Sequence, residues 1–117
     1  MASHLILGKT GEDFAADYLR RRGYVIVARN RRIPRIGELD LVAREGSTIV
    51  FVEVKVRRGP AFDPVFAVDD AKKTKLRRLA RAFLRENPAH RHRFDIIGLT
   101  LTSDGLIDTI RHIRDAF

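Results

Sequence analysis

Glu38-Leu39-Asp40 and Glu53-Val54-Lys55 each set charged groups inside a run of Leu, Val, Ile and Phe, the first from Leu39 to Ala43 and the second from Ile49 to Val56. Such runs read as largely buried strands, and a carboxylate resists burial unless something binds it. A divalent cation held among three carboxylates, with a lysine beside it, would relieve that cost. The same groups suit phosphodiester cleavage, because the cation polarises the phosphate and acidifies a bound water. The plainer arrangement is a salt bridge of Lys55 with Glu38 or Glu53 on a half-exposed sheet face. The second carboxylate pair on the adjacent strand weighs against it.

The two strands are joined by Arg44-Glu45-Gly46-Ser47-Thr48, a polar stretch with a glycine that reads as a hairpin. A two-residue turn at Glu45-Gly46 sets Asp40 opposite Phe51 and Glu38 opposite Glu53. A four-residue loop instead sets Asp40 opposite Glu53 and Glu38 opposite Lys55. The second register suits a metal better, since it brings Asp40 and Glu53 to the roughly 5 Å cross-strand Cβ spacing from which two carboxylates can share one ion. Either even-length loop places Glu38, Asp40, Glu53 and Lys55 on one face. The opposite face carries Leu39, Leu41 and Ala43 with Val50, Val52, Val54 and Val56, so one face is expected to be core and the other site.

Upstream, a helix opens near Thr10, where Thr10 and Asp13 suit a capping box, and closes at Gly23 behind Arg20, Arg21 and Arg22. A first strand follows at Tyr24 to Ala28, then a polar, arginine-rich crossing through Asn30 and Pro34 to Gly37. Beyond the site strands, Arg57 to Val68, with Gly59, Pro60 and Pro64, reads as a loop able to close over a substrate. A second helix spans Asp70 to Glu86, capped by Asp69 and ended by Asn87-Pro88. Its buried face is Leu76, Leu79, Ala80, Phe83 and Leu84. A strand at Arg93 to Leu101, a turn at Ser103-Asp104-Gly105 and a last strand at Leu106 to His112 complete the order α-β-β-β-α-β-β. That order implies an α/β fold with a mixed sheet, helices on its faces, and the strand after the second helix parallel to the one carrying Glu53.

At 117 residues the chain is long enough for one domain, 1–117, that buries roughly 65% of its unfolded surface. The absence of cysteine excludes disulfides, thiolate zinc sites and cysteine nucleophiles. No charged-then-apolar leader and no long apolar run is present, so a soluble cytoplasmic protein with no membrane partner is expected. A formal charge of +8 and a pI near 10.8 point to a polyanion, most commonly nucleic acid. The basic residues are grouped as Arg29, Arg31, Arg32 and Arg35, as Arg57 and Arg58, and as a run from Lys72 to Arg85. Within that run Lys73, Arg77 and Arg81 recur four apart beside Lys72, as a phosphate-contacting stripe or a solvated helix face.

The set of residues resembles the bacterial YraN family of small basic proteins, within the restriction-endonuclease-like (PD-(D/E)xK) nuclease superfamily that also holds the archaeal Holliday-junction resolvases. The resemblance rests on Gly8-x-x-Gly11-Glu12, Asn30 with Arg31 or Arg32, Gly37-Glu38-Leu39-Asp40-Leu41, Phe51-Val52-Glu53-Val54-Lys55, Lys72 or Lys73, Arg93-Phe94-Asp95-Ile96 and Ile113-Arg114-Asp115-Ala116-Phe117. It implies an αβββαβ core with an extra C-terminal strand and metal-dependent hydrolysis of phosphodiester bonds. In that reading Asp40 and Glu53 bind Mg2+ or Mn2+, Glu12 on the first helix completes the site, Lys55 is the signature lysine, and Glu38 is the further acidic residue of this smaller family. The chain departs from the superfamily pattern at Leu39, where a proline precedes the aspartate, and at Asp63, where a glycine follows the loop aromatic.

Other chemistries are weaker. His4, His90, His92 and His112 form no zinc spacing and read as surface residues. Ser3, Ser47 and Ser103 stand in no pattern with a histidine that suggests a nucleophile and base. Gly8-x-x-Gly11 suits either an anion at a helix start or a capping loop, and Asp95 is expected to pair with Arg93. Two functions remain: a metal-dependent endonuclease acting on branched, flapped or junction DNA in repair or recombination, for which the resolvase resemblance suggests a homodimer, or a non-catalytic basic module docking on a repair or RNA complex. No recognition helix or zinc module is evident, so shape and backbone charge would govern binding.

Overall fold

A computed structural model of the chain describes residues 10–117. Ser3, His4 and Gly8 lie outside the described residues. The elements are α1 (Gly11–Arg21), β1 (Val25–Ile33), β2 (Gly37–Glu45), β3 (Thr48–Arg58), a 3-10 turn (Pro64–Ala67), α2 (Asp70–Glu86), β4 (Arg91–Leu101) and β5 (Ile107–Ile113). Local chemistry sets the helix ends. The Asp13 N–H donates to Thr10 Oγ1 at 3.2 Å while the Thr10 N–H donates to Asp13 Oδ2 at 2.7 Å, closing the capping box of α1. Asp69 caps α2 by accepting the Lys72 N–H at 2.8 Å, and Asn87 ends it by donating its side-chain amide to Phe83 O at 3.1 Å.

The five strands form one mixed sheet in the order β1-β2-β3-β4-β5. The first three are an antiparallel meander, α2 crosses over, and β4 returns parallel to β3 from Thr48↔Arg91 to Arg58↔Leu101 before β5 turns back antiparallel. This is the α-β-β-β-α-β order with an additional C-terminal strand that the sequence implied.

The hairpin between β2 and β3 adopts the register with Leu41 opposite Val52 and Glu45 opposite Thr48. That is the metal-favouring register, reached through a two-residue turn in place of the expected four-residue loop: only Gly46 and Ser47 are unpaired, and Gly46 takes a φ of 58°. A positive φ at the first turn position is what a two-residue II′ hairpin requires. β1 is longer than expected, since Arg31, Arg32 and Ile33 pair with Leu39, Glu38 and Gly37. The ladder's hydrogen bonds outweigh the polar character of these side chains, and the expected crossing shrinks to a turn at Pro34, Arg35 and Ile36. A bulge at Val27 interrupts the β1 ladder.

Both faces of the sheet are core, which corrects the expected division into one core face and one site face. On one side Ala15, Ala16 and Leu19 of α1 pack with Leu41, Ala43, Val50, Val52, Ile97 and Leu99. On the other, Leu76, Leu79, Ala80 and Phe83 of α2 pack with Val42, Phe51, Phe94 and Ile96. The second core lies beneath α2 because Phe51 shares its face with Glu53. Leu39 also joins the α2 core and not Leu41 and Ala43. The β2–β3 pairing stops at Leu41, and beyond it Leu39, Glu38 and Gly37 are paired with β1 but not with β3.

The loop after β3 folds back onto β4. Asp63, where the superfamily pattern has glycine, caps the 3-10 turn by accepting the Val65 N–H at 3.1 Å. Pro64 then packs on Gly98 so closely that a Cβ there would lie 2.2 Å from Pro64 Cγ. Gly98 is opposite Lys55 in the parallel ladder, so the turn lies alongside Lys55.

Candidate active site

The site forms where the β2–β3 ladder ends. Beyond Leu41↔Val52 the Val54 N–H donates not to a main-chain carbonyl but to Asp40 Oδ2, at 3.0 Å. This bond fixes the carboxylate and satisfies a strand N–H that would otherwise be orphaned. Glu53, one residue earlier on β3, is 4% exposed. Its Oε2 lies within ion-pair distance of two ammonium groups, Lys55 Nζ at 3.4 Å and Lys72 Nζ at 3.3 Å. Its Oε1 is buried with no hydrogen-bond partner.

Crowding of carboxylates is felt at Asp40, whose pKa is pushed up to about 6, first by burial and then by Glu53, against the pull of the Val54 N–H and Lys72. Glu12 reaches the same region from α1. Burial and then Asp40 raise its pKa, with a smaller push from Glu38, while the Asn30 side chain and Arg29 lower it. Glu38 itself is exposed at the start of β2.

Among the described residues no group of three or more Asp, Glu, His or Cys side chains is gathered closely enough to hold a metal ion. The arrangement is therefore a close pair, Asp40 and Glu53, with Glu12 and Glu38 farther out, and not the assembled trio that the sequence suggested. The donors are nonetheless chemically suited to a hard divalent cation, being carboxylate oxygens only. Glu53 Oε1 is a buried acceptor with nothing to accept from, and Asp40 carries a like-charge cost that a cation between the two would remove.

The basic residues divide by surroundings. Arg31 reaches Glu86 at 3.4 Å and lies over the Phe83 ring, Arg57 lies over Phe62, and Arg58 donates to the Thr102 and Ser103 carbonyls. Lys73 and Arg77 are drawn onto the Phe117 ring at 5.8 and 5.4 Å, while Arg32, Arg35 and Arg81 are exposed. Lys72, grouped by sequence with the phosphate-contacting stripe, instead turns toward Glu53. The signal was present: Lys72 precedes Leu76, Leu79 and Phe83 by four, seven and eleven residues, which extends the buried stripe of α2 back by one turn.

A second polar cluster joins β4, β5 and the chain end. Asp95 is fully buried and accepts from Arg93 Nε at 2.9 Å and from the Asp115 N–H at 3.0 Å, while its Oδ2 lies 2.7 Å from His112 Nε2. Arg93 continues to Tyr24 Oη at 2.7 Å and to Glu45 at 3.0 Å. The expected Arg93–Asp95 pair is present. His112, expected at the surface, is buried at 7% exposure, because it faces α1 and packs edge-on against Tyr18. Burial pushes the Asp95 carboxyl up, but His112, Arg93 and the Asp115 N–H together hold it below its ordinary value.

Element order, the parallel crossover and an acidic pair at the end of a strand ladder define a restriction-endonuclease-like protein. Residues 11–99 match the family described as "Uncharacterised protein family UPF0102". A UPF0102 protein of Rhodococcus opacus (strain B4) is 47% identical over 120 aligned positions, covering 100% of both chains. One from Dictyoglomus thermophilum is 37% identical over 114, covering 95% of this chain and 96% of the relative. A third, from Geotalea uraniireducens (strain Rf4), is 43% identical over 122, covering 99% and 92%. The chain belongs to the UPF0102/YraN family, part of the PD-(D/E)xK restriction-endonuclease-like superfamily.

Proposed function

We propose that this protein is a divalent-metal-dependent endonuclease that hydrolyses phosphodiester bonds in branched, flapped or junction DNA, in cytoplasmic repair or recombination. The observation that carries the reading is Glu53, buried beside Asp40 with an unpartnered Oε1 and flanked by ammonium groups. Asp40 and Glu53 would hold Mg2+ or Mn2+, with Glu12 completing the donor set and Glu38 at its margin. When bound, the ion would polarise the phosphate and acidify water. Lys55 orients the attacking water and offsets charge on the pentacovalent transition state. Arg31, Arg32, Arg35, Arg57, Arg58, Lys73, Arg77 and Arg81 supply charge for the phosphate backbone. A homodimer would present two such sites to the two strands of a junction.

A non-catalytic nucleic-acid-binding module is the second reading, favoured by the lack of a gathered trio of donors among the described residues. Cleavage of labelled duplex, single-stranded, flapped and four-way-junction DNA with Mn2+ or Mg2+, beside an identically purified Asp40→Ala protein, separates the two. Cutting by the native protein alone is the expected result. Binding without cutting in both preparations would establish the module.

A further inference from the structure

We propose that Lys72 is a counter-ion latch: without metal its ammonium occupies Glu53 in place of a cation, and when metal binds it swings to a phosphate oxygen of the substrate. The inference rests on the metal-dependent reading above. A single carboxylate oxygen, Glu53 Oε2, holds two ammonium groups while Oε1 holds none. Asp40 stands beside Glu53 and feels Lys72 as well, so the two ammonium groups balance two carboxylates while no metal is bound. Lys55 arrives unavoidably, two residues along the same strand and on the same face. Lys72 arrives from another element. Its backbone is pinned by the Asp69 cap at 2.8 Å, and α2 is seated by Leu76, Leu79 and Phe83, so the first turn of the helix delivers the side chain to the site.

The Lys72 side chain keeps 32% of its surface exposed, against 5% for Glu53. Its flexible stem therefore has solvent to move into, while the carboxylate does not. A cation entering between Asp40 and Glu53 would share the Glu53 carboxylate with an ammonium already 3.3 Å from Oε2, and two like charges competing for one carboxylate repel. The displaced lysine would then be free to pair with an oxygen of a bound phosphodiester. The two lysines thus differ: Lys55 stays with the carboxylate, and Lys72 exchanges a protein anion for a substrate anion.

The test is calorimetric titration of Mn2+ into native protein, Lys72→Met and Lys72→Arg, followed by steady-state cleavage. Lys72→Met keeps the stem and removes the competing charge, so Mn2+ should bind about three- to tenfold more tightly, on the scale of one partly exposed charge pair. Lys72→Arg should bind Mn2+ as the native protein does. In cleavage, Lys72→Met should lose kcat with KM nearly unchanged, as for a contact made in the transition state. Melting in chelator and in Mn2+ checks that each variant is folded. Native-like or weaker Mn2+ binding by folded Lys72→Met would overturn the latch and leave the metal-dependent reading standing. Absence of Mn2+ binding in both native and Lys72→Met would overturn both.

Discussion

Asp40 and Glu53 are held together at a cost, and the cost can be measured without any substrate. Asp40 is tied by the Val54 N–H beside a buried Glu53, and its pKa near 6 records how poorly that place suits a second negative charge. Asp40→Asn keeps an oxygen for the Val54 N–H and removes the repulsion. In chelator at pH 8 it should therefore be more stable than native by about 1–2 kcal/mol, read by urea denaturation, while losing cleavage. The acidic pair and Lys55 were legible in the sequence because strand alternation alone puts them on one face. Lys72 was harder to read, since a lysine in the first turn of a basic helix resembles its solvated neighbours until the α2 stripe is extended backward to include it.

At the scale of elements, the Asp95 cluster fastens β4 to β5, to the β2–β3 hairpin through Glu45, and to the chain end through Asp115. The carboxyl of Asp95 is held below its ordinary value of 3.8. Its contribution to stability is therefore complete above about pH 4 and is lost as pH falls through the lower folded-state value. Asp95→Asn should lower stability by about 2 kcal/mol at pH 7, since His112 and Arg93 lose the buried carboxylate between them and Arg93 keeps only Glu45. The gap between the two proteins should close progressively as denaturation is followed into acid below pH 4. A constant gap across that range would rule out the ionised carboxylate as its source. The Arg93–Asp95 pair could be read from i, i+2 alternation. His112 could not, because its place opposite Ile97 depends on how β5 registers on β4 across a turn. The bounds of α2 were legible from its cap and stripe, whereas β1 was read short because paired arginines look like loop.

For the molecule as a whole, the charge of +8 and the buried acidic pair act on different quantities. Affinity for DNA should come from arginines and lysines spread over β1, the loop after β3 and α2, and should fall steeply with salt through counterion release. Glu53→Ala should abolish cutting while leaving the slope of log affinity against log salt within about one unit of native, measured by fluorescence anisotropy on a four-way junction. A large change of slope would mean that the site itself carries the binding. Sheet order was legible because three strands, a helix and a further strand leave few connections. The double core was not, because the face that bears the acids also bears Phe51, and a strand pattern does not say how far along its length a helix will cover it.

The bulge at Val27 and the row of Arg29, Arg31 and Arg32 lie on β1, an outer strand of the sheet where Val25 and Val27 are 48% and 42% exposed. An open strand edge invites another chain to pair with it, and a kink with a line of cations is how such an edge is kept from aggregating. The arginines assigned to the phosphate backbone therefore also guard the sheet. An arginine-to-alanine series along β1 reads two effects at once, and loss of DNA binding there has meaning only for variants that stay monodisperse.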